Sequence, residues 1–92
     1  MTVRIGDIDF DHASYDREAD VLYLRAGPNK YATQHDASPE GHYLRYDADG
    51  GLFGITIVNA QWLLHEDGKI VITLPDGRRL ETRDLGDVLA VA

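Results

Sequence analysis

Three acids alternate along Tyr15-Asp16-Arg17-Glu18-Ala19-Asp20. In an extended chain Asp16, Glu18 and Asp20 share one face, and carboxylate oxygens at that spacing suit a hard divalent cation. Tyr23 is close enough in sequence to add a hydroxyl. The same residues also make a tight turn, with Asp16 bonding its local backbone and Asp20 starting a strand, and the turn is the reading adopted. A second acidic run, Asp47-Ala48-Asp49-Gly50, begins like a calcium loop but does not end like one. Leu52 and Phe53 follow it, and Val58 stands where the bidentate Glu belongs, so it too reads as a turn. The imidazoles of His12, His35, His42 and His65 are good ligands for zinc, copper or nickel, yet no two share a recognised metal spacing. His35 and His42 are placed to pair across a loop beside Asp36. The serines, Ser14 and Ser38, lie in no nucleophile elbow, and no glycine-rich phosphate loop precedes a helix. A relay of His12 with Asp11 or Asp16 would exist only if folding assembled it. No catalytic residue, metal site or cofactor is assigned.

The remaining chemistry is basic and aromatic. Lys69, Arg78, Arg79 and Arg83 are the one basic concentration, balanced by Asp76, Glu81 and Asp84, and read as a solvated strand face. Tyr43, Tyr46 and Phe53 offer either a stacking platform or the core of a hairpin, and core packing is expected. The whole chain of 92 residues sets 16 Asp+Glu against 9 Lys+Arg, a net charge of −7, with no cysteine. That charge disfavours nucleic acid, whose phosphates need clustered cations, and suits a basic partner. Without cysteine there is no disulfide framework and no zinc–thiolate site. The longest charge-free run, 50–64, is too short to span a bilayer, and no apolar leader follows Met1, so a cytoplasmic protein is expected.

The elements that must position these residues read as short strands and turns. Val21-Leu22-Tyr23-Leu24 is apolar on both faces, as in a central strand, and residues 13–15 are expected to pair with 20–25. Val3-Arg4-Ile5 and Ile8-Asp9-Phe10 alternate around a break at Gly6. Tyr31–His35 is expected as a strand and Asp36–Gly41 as a loop. The clearest hairpin is His42–Tyr46, the Asp49-Gly50 turn and Leu52–Val58, in which Gly54 marks a bulge or a close backbone approach. Asn59 is expected to cap a short helix from Ala60, with Trp62, Leu63 and Leu64 buried and Gly68 past its end. A strand continuing through 60–66 is the alternative. A second hairpin, 69–74 with 78–83, turns at Asp76-Gly77, and Leu85, Val88 and Leu89 begin a final helical turn. The fold class is mainly β (α+β): an antiparallel β-meander of hairpins with one or two short helices, in one domain over 1–92. Helices this short cover a sheet poorly, so a homodimer is expected.

The segment Tyr15-Asp16-Arg17-Glu18-Ala19-Asp20-Val21-Leu22-Tyr23-Leu24 resembles the opening motif of the domain of unknown function 2283 (DUF2283) family. Tyr46-Asp47-Ala48-Asp49-Gly50-Gly51-Leu52-Phe53-Gly54-Ile55-Thr56-Ile57 resembles its second segment, with Thr56 where the family pattern is more often acidic. The resemblance covers residues 13–60 and leaves 61–92 as an extension. It implies a small, mostly β, bacterial or archaeal soluble protein with no established activity, in a family where some members look like antitoxins. The function expected is a non-enzymatic protein–protein interaction module, antitoxin-like or an accessory subunit. It would use Tyr15, Asp16, Glu18, Asp20 and Tyr23 on a basic partner protein, by charge complementarity and edge-strand pairing. The alternative is a small metal-dependent hydrolase or ligand-binding protein built on Asp16, Glu18 and Asp20.

Overall fold

Alternation of apolar and polar residues becomes a layered β structure. A computed structural model describes residues 2–91, apart from the Val91 side chain. Met1 and Ala92, the ends of the expected domain, lie outside the described residues. Strands β1 (Val3–Ile5) and β2 (Ile8–Phe10) form a first hairpin. Strands β3 (His12–Asp16), β4 (Val21–Arg25), β5 (Gln34–Ala37), β6 (Tyr43–Tyr46) and β7 (Leu52–Val58) form an antiparallel sheet in the order β3-β4-β7-β6-β5. Helix α1 (Ala60–Asp67) follows, then the hairpin of β8 (Ile70–Thr73) and β9 (Arg79–Thr82), then helix α2 (Gly86–Val91). The chain is mainly β, as expected.

Leu22, Leu24, Leu44, Ile55 and Ile57 occupy the inner face of the large sheet, because register places Leu22 opposite Ile57 and Leu24 and Leu44 opposite Ile55. They form one apolar cluster with Ile5 and Phe10 of the first hairpin, Ile70, Ile72 and Leu80 of the last, and Leu85, Val88 and Leu89 around α2. Most of the cover over this face therefore comes from two hairpins, which the reading from short helices overlooked. Gly6 brings the first hairpin close to the last. It turns β1 into β2 at a φ of 63°, and a side chain there would come within 2.9 Å of Leu80. The Asp49-Gly50 hairpin turns where expected, with Asp47 accepting the Asp49 and Gly51 N–H groups and Gly50 at a φ of 79°.

Four local expectations are corrected. The strand expected at Tyr31–His35 runs over Gln34–Ala37, because pairing with β6 begins at Gln34 opposite Tyr46; Tyr31 is almost fully exposed. Residues 60–67 are helical, but Trp62 is 57% exposed, since the helix buries Ala60 and half-buries Leu63 and Leu64 instead. Asn59 adopts a left-handed backbone, φ 60°, and its side chain caps nothing. Tyr43 is 56% exposed on the outer side of the sheet, whereas Tyr46 is half-buried against the core.

Candidate functional site: the open face of the sheet

The turn between β3 and β4 scatters its acids. Asp16 accepts the Ala19 N–H at 3.2 Å, which closes the turn, and Glu18 is exposed to solvent. Asp20 does not start the strand. It takes a left-handed conformation, φ 55°, which short polar side chains tolerate. Its carboxylate then turns to the start of α1, accepting N–H bonds from Gln61 at 2.8 Å and Trp62 at 3.1 Å. These are donors that a helix terminus leaves unpaired, so Asp20 does from across the sheet what Asn59 does not do locally. The hydroxyl of Tyr15, inside the apolar cluster, donates to the same carboxylate at 2.7 Å. Burial, with Asp20 as hydrogen-bond acceptor, pushes the Tyr15 phenol up to about 12. Burial alone would raise the Asp20 carboxyl, but the Tyr15 hydroxyl and the two N–H groups outweigh it and hold the carboxyl below its ordinary value. Among the described residues, no three His, Asp or Glu side chains gather as a metal-binding group.

Tyr23 lies on the opposite side of the sheet from Tyr15 and belongs to a different arrangement. On the outer face, register aligns Ser14, Tyr23, Thr56, Tyr43 and Ala37 across the five strands. The next row is His12, Arg25, Gly54, Arg45 and His35. Two exposed tyrosines thus flank Thr56, and two arginines flank Gly54. The glycine leaves room for what lies above it. A side chain at 54 would come within 2.6 Å of the Arg45 Nε, so the close approach expected there is that of a guanidinium. A register shift at Arg45/Tyr46 leaves Phe53 as an extra residue, the bulge expected in this strand. Phe53 is buried outside the main cluster, with the Arg45 guanidinium 5.2 Å and the Lys30 ammonium 5.3 Å from its ring centroid.

The charge of these two rows is opposite to that of the chain, although Asp16 stands in the next row of the same face, opposite Val21. Arg4, Lys30, Lys69, Arg78 and Arg83 each hold a carboxylate within ion-pair distance, which bears out the balanced reading of the last hairpin for three of them. Arg25 and Arg45 hold none among the described residues. Arg25 is steadied by a bond from Nε to the Gly27 carbonyl at 3.1 Å, and Arg45 by its seat over Gly54 and Phe53. Both are only half exposed, and both lie beside Tyr23 along a groove that Ser14, His12 and Asn29 also line. Reading the sequence alone missed these two arginines. Their signal was present in the alternation Val21, Tyr23, Arg25 and in Gly54, but joining them required the pairing of β4 with β7.

The histidines stand apart. His42 is buried and accepts the Val58 N–H through Nδ1 at 3.1 Å, while its Nε2 has no hydrogen-bond partner among the described residues. Burial lowers its basicity, with a smaller opposing pull from Glu40. His12 lies 3.8 Å from Asp11, and His35 is exposed on β5. Among the described residues no helix is long and apolar enough to cross a membrane.

No curated protein and no solved structure matches the chain. The family described as Protein of unknown function (DUF2283) matches residues 12–61, which hold β3 to β7, the Asp20 junction and both rows of the open face. On that match over more than half of its length, the chain belongs to the DUF2283 family.

Proposed function

We propose that this protein is a non-enzymatic, cytoplasmic interaction module whose working surface is the open face of its five-stranded sheet. One observation carries the reading. Arg25 and Arg45 flank Gly54 in one row, and among the described residues neither has a carboxylate within ion-pair distance, in a chain with 16 Asp and Glu. Exposed Tyr23 and Tyr43 stand in the adjoining row. Tyrosine and arginine concentrate at the energetic centres of protein interfaces, because each buries a large area around a polar tip. The local charge suits a partner that presents acidic groups to this face. A basic partner, expected from the net charge, would instead meet the acidic surface elsewhere, including Glu18 at the β3–β4 turn. Of the residues expected at the site, Tyr23 belongs to the working surface, while Tyr15 and Asp20 support it from inside.

The test is capture of partners by the tagged protein in its own cell at low salt, with a Tyr23→Ala/Tyr43→Ala variant and Glu66→Gln as a surface control. The wild type and the control are expected to hold one stoichiometric partner that the tyrosine variant loses. Equal capture by the tyrosine variant removes the reading. Sedimentation of the same samples identifies a second copy of this chain if that is the occupant.

A further inference from the structure

We propose that the groove beside Arg25 and Arg45 binds a phosphate monoester. This rests on the open face being the working surface, and it names what the basic centre of that face takes. The groove has a volume of about 320 Å³ and runs over the outer side of β3 and β4. Its polar walls are His12, Ser14, Tyr23, Arg25, Asn29 and Arg45. Every one can donate a hydrogen bond, and none is a carboxylate. Asp11 stands beside the groove; its carboxylate is engaged by the Gly27 N–H at 2.8 Å, lies 3.8 Å from the His12 Nε2, and feels Arg25 only through the weaker, longer-range pull of its charge.

Two guanidiniums balance the two negative charges of a phosphate monoester, where a single carboxylate would leave one of them unmatched. Their planar forks suit bidentate contact with phosphate oxygens, and the Ser14 and Tyr23 hydroxyls and Asn29 amide can serve the rest. Both arginines are held in advance, so little side-chain freedom is lost when an anion arrives. Arg25 spends only its Nε on Gly27, and Arg45 lies in a seat that exists because residue 54 has no side chain. A polynucleotide is a poorer occupant, because its internal phosphates carry one charge each and the chain as a whole is strongly acidic. The monoester has two possible carriers, a phosphorylated small molecule or a phosphorylated side chain of a partner protein.

The experiment is a titration of the whole protein at constant ionic strength, followed by backbone amide shifts in two-dimensional NMR. The probes are inorganic phosphate, phosphoserine, a short phosphoserine peptide, acetate and a short single-stranded RNA. Phosphoserine is expected to shift Ser14, Arg25, Arg45 and Gly54 saturably, and acetate is not. Arg25→Gln and Arg45→Gln should each weaken phosphoserine tenfold or more. Gly54→Ala should do the same while melting close to the wild type, since only the end of a flexible side chain must move. Tighter binding of the peptide than of phosphoserine places the phosphate on a protein; equal binding places it on a small molecule. Matching shifts with acetate, tighter binding of the RNA, or unchanged affinity in the Arg25→Gln/Arg45→Gln variant overturns the proposal. If one of those results is found while Tyr23→Ala/Tyr43→Ala still loses its partner, the interaction reading stands and only the phosphate is wrong.

Discussion

The two faces of the five-stranded sheet are built from alternate residues of the same strands, and they end in opposite states. Along β4, Leu22 and Leu24 are sealed from solvent, while Tyr23 between them is 47% exposed. The inner face is closed by β1–β2, β8–β9 and α2, all outside the segment that matches the family, together with α1 at its end. Tyr23 stays exposed and Arg25 half exposed on the other side. The apolar face had to be covered, since bare apolar area of that size drives association. The outer face carries its apolar mass on tyrosines, whose hydroxyls can meet water, and its charge on two splinted arginines. The difference separates residues that hold the fold from residues free to meet something else.

Substitutions can sharpen or break that contrast. Leu22→Ala should cost about 2–5 kcal/mol of stability in denaturant titration, as buried leucines do. Its neighbour Tyr23→Ala should change stability by about 0.5 kcal/mol or less. Comparable losses at both positions would mean that the outer face is also part of the core. Asp20→Ala should cost about 2 kcal/mol, since it removes a helix cap and strands the Tyr15 hydroxyl. Asp20→Asn, which can still accept at the cap and tolerate a positive φ, should lose less. Equal losses in the two variants would assign the effect to charge.

A third prediction concerns pH. The buried His42 has a lowered basicity in the folded state, so the unfolded chain binds its proton first as pH falls. Stability is complete above the ordinary histidine value near 6.5 and declines below it, by at most about 1.4 kcal/mol per pH unit, down to the folded value. His42→Asn, with an amide oxygen to accept the Val58 N–H, should flatten that slope in melts between pH 7 and 5. An unchanged slope would place the titrating group elsewhere. The smallest effect is that of Gly54→Ala, expected at about 1 kcal/mol or less, with Arg45 displaced from the Phe53 ring. A larger loss would show that the arginine seat supports the sheet as well as its outer surface.

Much of this architecture was legible in sequence. The alternation in residues 3–10 and 43–57, the Asp-Gly turns and the apolar triplet Leu85, Val88 and Leu89 each produced the element expected, because each signal is local. What failed was long-range. Asn59 has the composition of a cap, but a capping residue 41 positions before Gln61 leaves no periodic trace. Trp62 looks like core until α1 is set against β8 and its buried side proves to be that of Ala60. Tyr23 and Tyr15 lie eight positions apart in one motif and look like one site. The β3–β4 register sets Tyr15 opposite Leu22, and Tyr23, one residue on, points to the other face. The pairing of β4 with β7, across the β5–β6 hairpin, made the Arg25–Gly54–Arg45 row, and hydropathy does not encode which strands become neighbours.

The bond from Asp20 to the start of α1 also orders events in time. The helix has eight residues and no side-chain cap of its own, and a helix that short does not persist alone in water. Asp20 comes within reach only after β4 has paired with β7, which brings Val21 opposite Val58. Helix formation is therefore conditional on the sheet, and the helix in turn packs on β8. During refolding, protection of the Gln61 and Trp62 amides from hydrogen exchange should lag behind that of β4 and β7. Those two amides serve as a clock for the completion of the sheet.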